Sequence, residues 1–443
     1  KLDKSSMKAD KFSMATLNYR DNNYDIKLRV KGDRVLHWYD KDQTSYRIDL
    51  RGDDRVWGLE EFSVQKPITR NYIHEYIFHK FLDFNDLISL KYFFINLSLN
   101  DTEQGIYAVE EGFSKELIER NKKRNGPIFG VKESVSQNYP NIEYDLYSFG
   151  YWLKNYPDLL KSAKSKLNKL LLNQIDVNEI FDMEKWATYF AVIDLTGTFH
   201  GSIPKSVKLY YNPVTAKFEP IGFDGHYNSD LFQNFLVLDF IDEMNKNCDY
   251  ICSERDWYLR FFKNSDQSIN RDFLDMYLKK LNQISSEKFI SKFYTKYLNE
   301  INFYNDQFLS ETSKKDKVLY KGFGLYLFDE NYLMKRSKYI KKRIYEYEKK
   351  LTKKNLSNQK DLTRLDLLNI DVIEKHNENY ILKKDLEINN DYFLAANKKL
   401  NIQEGVNIFF NKDVSILSEG SIFFNGTKEK PITIFSKKNI GSL

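Results

Sequence analysis

The sequence predicts an α+β fold, and three observations carry the prediction. Its first 130 residues alternate apolar and polar side chains in short runs. From about residue 145 to 355 apolar residues recur at helical spacing, interrupted by one strand pair near 208–221. Towards the C-terminus short strands return, broken by Gly, Asn and Pro.

Each element follows in order. In "YDIKLRVKGDRVLHW" the alternation runs through Tyr24, Ile26, Leu28 and Val30 and turns at Gly32-Asp33; "SYRIDL" repeats it at Tyr46, Ile48 and Leu50. After Pro67, "RNYIHEYIFHKFLDF" switches to helical spacing with Glu75 inside it. "KYFFINLSLNDTEQGIYAVEEGF" reads as a hairpin turning near Asn100-Asp101, and "SKELIERNKKRNG" as a helix from the N-cap Ser114 to the stop Gly126. Residues from about 145 to 195 read as helical and end in "DMEKWATYFAVIDLTG". "KLYYNPVTAKFEPIGFDG" is a second hairpin, turning at Asn212-Pro213 and ending in Asp224-Gly225. Helices dominate after Asp230, the last being the charged "YIKKRIYEYEKKLTKKN", which reads as a solvated outer helix. A linker is expected over 356–395. From 396 to 443, alternation at Val406/Ile408, Val414/Ile416, Ile422/Phe424 and Ile432/Ile434, with glycines at 405, 420 and 426, resembles the first coils of a right-handed parallel β-helix. Two coils are too few to bury a core, so a longer coil is expected in the full chain.

The chain of 443 residues has room for two or three domains, and 42% hydrophobic residues is enough for a real core. With 68 Lys and Arg against 63 Asp and Glu, the charge is too balanced to suggest a nucleic-acid partner. No apolar run approaches the roughly 18 residues of a membrane helix. Cys248 and Cys252 have no neighbouring His to complete a zinc site and are expected as free thiols. No G-x-x-x-x-G-K-[ST], H-E-x-x-H or G-x-S-x-G motif is present; "HEYIFH" (His74 to His79) misses the i, i+4 spacing by one.

A β-rich lobe with one central helix, followed by a helical lobe carrying a hairpin, is the element order of a two-lobed, protein-kinase-like fold. The expected domain spans 1–355, with the β-rich lobe to about 130. Phosphoryl transfer needs a cation on the phosphates, an acid that positions this cation, a metal-binding acid and a group near the attacking oxygen. Arg47 on the strand before the helix, Glu75 in the helix and Asp224 past the hairpin are candidates for the first three. Arg29 and Lys31 beside the Gly32 turn are further candidates for phosphate contact, although a solvated hairpin tip is the simpler reading of them.

"LRVKGD", "SYRIDL", "FSVQKP", "RNYIHE", "NLSLN…QGIYAVEE" and "YYNPVTAKFEPIGFDG" together resemble, block by block, the CotH kinase family, over roughly residues 20–235. The resemblance implies an atypical kinase, ATP, Mg²⁺ or Mn²⁺, and phosphate transfer to protein Ser or Thr. It places Asp224 as the metal-binding acid, with Phe223 before it and His226 where a second Asp is usual. It matches Arg47 and Glu75 to the cation–acid pair and puts Glu110 or Glu111 near the adenine-contacting segment, whose contacts are usually made by the backbone. The family's catalytic Asp falls near "GTFHGSIPKS", where His200 stands instead, and Ser206 occupies the place of a second metal ligand. A neutral His can accept a proton; Asp194 in "VIDLTG" is the other candidate base. The alternative is a catalytically inactive kinase-like surface or scaffold protein whose β-helix makes adhesive or carbohydrate contacts. Both expectations place the protein outside the cell or on its surface, with a protein substrate or surface partner.

Overall fold

The computed structural model describes residues 12–32, 37, 44–131, 144–172, 174–204, 206–225, 235–240, 255–264, 268–311, 327–351, 365–376, 379–411 and 414–436. The architecture is α+β, with ten α-helices and five sheets among the described residues. His226, Cys248 and Cys252 lie outside them.

The N-terminal sheet has six antiparallel strands: β1 (Ser13–Tyr19), β2 (Asn22–Val30), β3 (Tyr46–Leu50), β4 (Glu61–Gln65), β5 (Tyr92–Leu99) and β6 (Thr102–Glu111), in the order β1-β2-β3-β4-β6-β5. Because side chains alternate across a strand, the sheet has two unlike faces. One buries Ile26, Ile48, Phe62, Val64, Tyr107 and Val109, with Trp57 packed edge-on against Phe62 and Phe93. The other carries one cross-strand row, Arg29–Arg47–Ser63–Glu110–Tyr92, fixed by the strand register. Residues opposite one another share a face, so the register gathers these polar groups.

Helix α1 (Ile73–Phe84) packs under the Tyr92 end of that polar face. Its Ile73, Tyr76, Phe78, Phe81 and Leu82 are all buried, and only Lys80, Asp83 and Phe84 near its C-terminal end reach the surface. A 3-10 turn, Pro67–Arg70, precedes it, with Pro67 supplying the fixed φ of a helix start. Asn71 and Tyr72 then take positive φ, 53° and 57°, before the helix begins.

A second antiparallel sheet holds the hairpin. Its order is β10 (Lys217–Ile221), β9 (Lys208–Asn212), β7 (Ile128–Val131), β8 (Tyr144–Leu146). Thus β7, at the border of the two expected lobes, belongs to the hairpin's sheet. Helix α2 is Lys115–Arg120; the helical part comprises α3 (Phe149–Asn155), α4 (Pro157–Leu171), α5 (Val177–Ile180), α6 (Met183–Thr196), α7 (Arg255–Phe262), α8 (Arg271–Ile284), α9 (Glu287–Glu311) and α10 (Asn331–Leu351). Helix α6 is the centre of this packing: Trp186 through Thr196 are all buried, Asp182 caps it by accepting from Lys185 N at 3.1 Å, and Gly197 closes it at φ 67°. That glycine adopts the left-handed end residue without a Cβ clash.

At the C-terminus, short strands form three sheets, paired in parallel except for one antiparallel pair, Ile373–His376 with Asn379–Leu382. Leu386 stands opposite Ile408 and Ile408 opposite Ile434; Tyr392 stands opposite Ile416 and Leu400 opposite Ile422. Leu382, Leu386, Ile388, Leu394 and Leu400 fill the interior. The pairing starts earlier than 396: strands from Leu365 to Leu394 lie in the stretch expected as linker. No glycine marks the turns between residues 365 and 404, whereas glycines stand at 405, 420 and 426 in the stretch that the sequence revealed.

Candidate functional site

The polar face of the six-stranded sheet, the turn before α1 and the end of the hairpin converge on one chain of charges. Lys31, just past β2, hydrogen-bonds Glu110 Oε1 on β6. Gln65 Nε2 donates to Glu110 Oε2 at 3.0 Å, and Arg70 Nε lies 3.5 Å from the same oxygen. The Arg70 guanidinium reaches Asp224 Oδ1 at 2.8 Å and sits over the Phe223 ring at 5.5 Å. Lys208 covers the same ring, its ammonium 4.9 Å from the centroid. The order is therefore Lys31–Glu110–Arg70–Asp224, alternating in sign.

Burial makes the pairings strong. Burial pushes the Glu110 carboxyl up, but Lys31 and then Arg70 outweigh it and hold it down at about 2. Arg70 is raised: burial opposes its charge, and Asp224, Glu110 and Glu75 more than offset that. Lys31 is lowered, chiefly by burial, with Arg70 adding to the effect against the pull of Glu110. A charge taken from water needs such partners to remain charged.

Asp224 itself takes φ 57°, a left-handed backbone that Asp tolerates better than most residues. The close approach around it is set by glycines. A Cβ on Gly225 would fall 2.3 Å from the Phe78 ring, and one on Gly201 would lie 3.0 Å from Gly225 Cα. Strained backbone at Asn71, Tyr72 and Asp224 thus brackets the Arg70–Asp224 pair; such residues persist where the surroundings over-determine them.

The turn after α6 supplies the other side. His200 Nδ1 lies 3.0 Å from the Asp224 carbonyl oxygen, 3.2 Å from Asp224 Oδ2 and 3.3 Å from Ser206 Oγ. A carbonyl and a carboxylate only accept, so Nδ1 carries the hydrogen and Nε2 is the basic nitrogen. Ser206 Oγ donates to Asp224 Oδ2 at 3.4 Å. Among the described residues no three His, Cys, Asp or Glu side chains gather as a metal cluster. Asp224 Oδ2 and Ser206 Oγ are hard oxygen donors of the kind Mg²⁺ accepts when phosphate oxygens and waters complete its shell. The donor set fits such an ion as a minority of its ligands.

The sequence-based candidates separate into two groups. Asp224, His200, Ser206, Lys31 and Glu110 come together. Arg47 does not pair with Glu75: its guanidinium bonds Glu61 and lies 3.4 Å from Asp49, two residues along its own strand. Glu75 is fully buried and accepts from His79 Nε2 at 3.2 Å; His79 Nδ1 accepts from Leu90 N, which fixes that tautomer. Arg29 lies over the Phe12 ring at 5.3 Å, opposite Arg47 in the sheet. Asp194 is remote from the charge chain, within the helical core. It accepts from Val237 N at 2.8 Å and from the Tyr277 hydroxyl, while Arg336 donates to its carbonyl at 2.9 Å. Burial pushes its carboxyl up to about 7. Its position ties α6 to α8 and α10, and it faces no group of the Asp224 site in these contacts.

Sequence reasoning missed Arg70, Gln65, His37 and Lys208. Arg70 left one signal, a cation between Pro67 and the start of the helical pattern at Tyr72. Gln65 had a signal in the alternation of β4, which sets it on the same face as Ser63. No protein-family model matches the chain, and no curated protein matches it.

Proposed function

We propose that the chain is a CotH-type, kinase-like phosphotransferase that takes ATP with Mg²⁺ or Mn²⁺ and phosphorylates Ser or Thr of a protein. The two-lobed kinase-like arrangement is part of this proposal, as is the reading of the C-terminal parallel coils as a β-helix on an exported, surface-exposed protein. One observation carries it: a cation from before the central helix and a His–Ser pair from the turn after α6 meet on a single carboxylate at the end of a hairpin.

The roles follow from chemistry. Lys31 and Arg70 keep further N–H donors beyond those on Glu110 and Asp224, and these suit phosphate oxygens. Asp224 and Ser206 would hold the divalent ion, which when bound neutralises charge on the phosphates. His200, its Nδ1–H held by Asp224, presents Nε2 to accept the proton of an attacking hydroxyl. The test is thermal stabilisation by ATP–Mg²⁺ together with transfer of labelled phosphate. At about 100 times Kd, ligand should stabilise the wild type by about 2.7 kcal/mol. Asp224→Ala should abolish the shift and the transfer. Absence of both in the wild type at millimolar nucleotide refutes the proposal.

A second reading has its own support. The Arg70 guanidinium already stands 2.8 Å from Asp224 Oδ1, and Lys31 already hydrogen-bonds Glu110, so each charge of the chain has an opposite charge beside it. This favours the catalytically inactive, kinase-like surface protein. On that reading Asp224→Ala retains partner binding and the wild type transfers no phosphate.

A further inference from the structure

His37 belongs to the same site, although no motif singled it out. It is 6% exposed, and its Nδ1 is buried with no hydrogen-bond partner. The ring packs closely on the Gly32 turn: Gly32 takes φ 94°, and a Cβ there would stand 2.2 Å from the imidazole Cγ and Cδ2. Backbone bonds anchor the residue to the sheet. Ser45 N donates to His37 O and Lys31 N donates to Ser45 O, both at 2.8 Å. A buried polar atom with no partner is costly and calls for one.

Its contact with Gly32 and the backbone bonds through Ser45 hold His37 beside Lys31, and the charges that act on it come from four elements: Arg70 from the 3-10 turn, Lys31 past β2, Glu110 from β6 and Asp224 from the hairpin end. Two cations and two carboxylates cancel, so an oxyanion entering this cluster brings uncompensated negative charge. His37 is the member that can gain a positive charge near neutral pH. In the absence of ligand it is neutral: burial, then Arg70 and Lys31, lower its pKa to about 3.

We propose that His37 is a direct ligand of a phosphate oxyanion held by Lys31 and Arg70, and that it takes one proton from solvent when the anion binds. This rests on the phosphotransferase reading above and adds to it a named ligand and a proton linkage. The imidazole becomes imidazolium, and the Nδ1–H donates to a phosphate oxygen; no covalent bond forms or breaks.

The experiment is calorimetric titration of the full chain at pH 7 with inorganic phosphate and, separately, with ADP, each in two buffers of different ionisation enthalpy. Phosphate groups themselves ionise near pH 7, so the readout is the difference between proteins: the wild type should take up about one proton more than His37→Gln, which should also bind roughly tenfold more weakly, the loss of one hydrogen bond to a charged group. His37→Phe keeps the ring's packing and should also lose that extra proton. Unchanged melting of both ligand-free variants controls for folding. Extra uptake with both ligands assigns the site to free phosphate; extra uptake with ADP alone assigns it to a nucleotide phosphate. Equal proton exchange in wild type and His37→Gln overturns the role of His37 and leaves the phosphotransferase reading standing. Failure of the wild type to bind either ligand overturns both.

Discussion

Asp224→Asn isolates the charge at the centre of the site. Asn keeps the shape of Asp and tolerates the left-handed backbone at φ 57°, so the change removes little but the charge. The Arg70 side chain is 10% exposed and that of Asp224 17%. Removing one partner of a buried ion pair costs about 3–5 kcal/mol, because the other charge is left uncompensated. Arg70 retains Glu110 Oε2 at 3.5 Å, and repulsion between Asp224 and Glu110 is relieved. The expected loss is therefore about 2–3 kcal/mol, with a comparable coupling in a double-mutant cycle against Arg70→Met. Native-state hydrogen exchange over 61–65, 106–111 and 208–221 reads this without assuming that the whole chain unfolds at once. Exchange should quicken by about 30- to 160-fold in those segments. Asp224→Gly should exchange more slowly than Asp224→Ala, since an alanine at positive φ costs a further ~1 kcal/mol. A loss under about 0.5 kcal/mol for Asp224→Asn, or strict additivity with Arg70→Met, would show that the pair is not the tie between the sheet and the hairpin.

Two further outcomes test the surroundings. The Asp194 carboxyl is raised above its unfolded value to about 7, so its contribution to stability is fully present below pH ~4 and is lost as pH rises through 7. Tyr277 donates to the ionised form, so Tyr277→Phe should cost about 1–3 kcal/mol and cost more at pH 8.5 than at pH 5.5, read by denaturation at both; an equal cost at both refutes the assignment. Gly225→Ala should destabilise by about 1–3 kcal/mol, because its Cβ meets the buried Phe78 ring, and should also weaken ATP–Mg²⁺ stabilisation by moving Asp224; a neutral melting shift refutes it.

The sequence by itself determined the order of the elements and the character of their faces. Alternation through Tyr24, Ile26, Leu28 and Val30 settles which side of β2 is buried, because the period of a strand is local. Asn212-Pro213 places the hairpin turn, and Asp224 past its end follows from counting residues. The C-terminal strands were legible only beyond residue 396, where alternation at Val406/Ile408 and after is punctuated by glycines at 405, 420 and 426, and not from Leu365, where no glycine marks the turns.

Tertiary structure alone decided the partners. Arg47 and Arg70 are both cations near the central helix, and nothing local distinguishes them. The antiparallel register places Arg47 beside Glu61, across the strand pair, while the turn before α1 carries Arg70 to Glu110 and Asp224. Lys31 and Glu110 lie 79 residues apart, and Asp194 is only six residues before His200 yet faces the opposite way, into the helical core. Helical and strand periods fix which face a side chain occupies. Which charge it meets there depends on how separate elements dock, and a buried charge accepts only the partner that docking delivers.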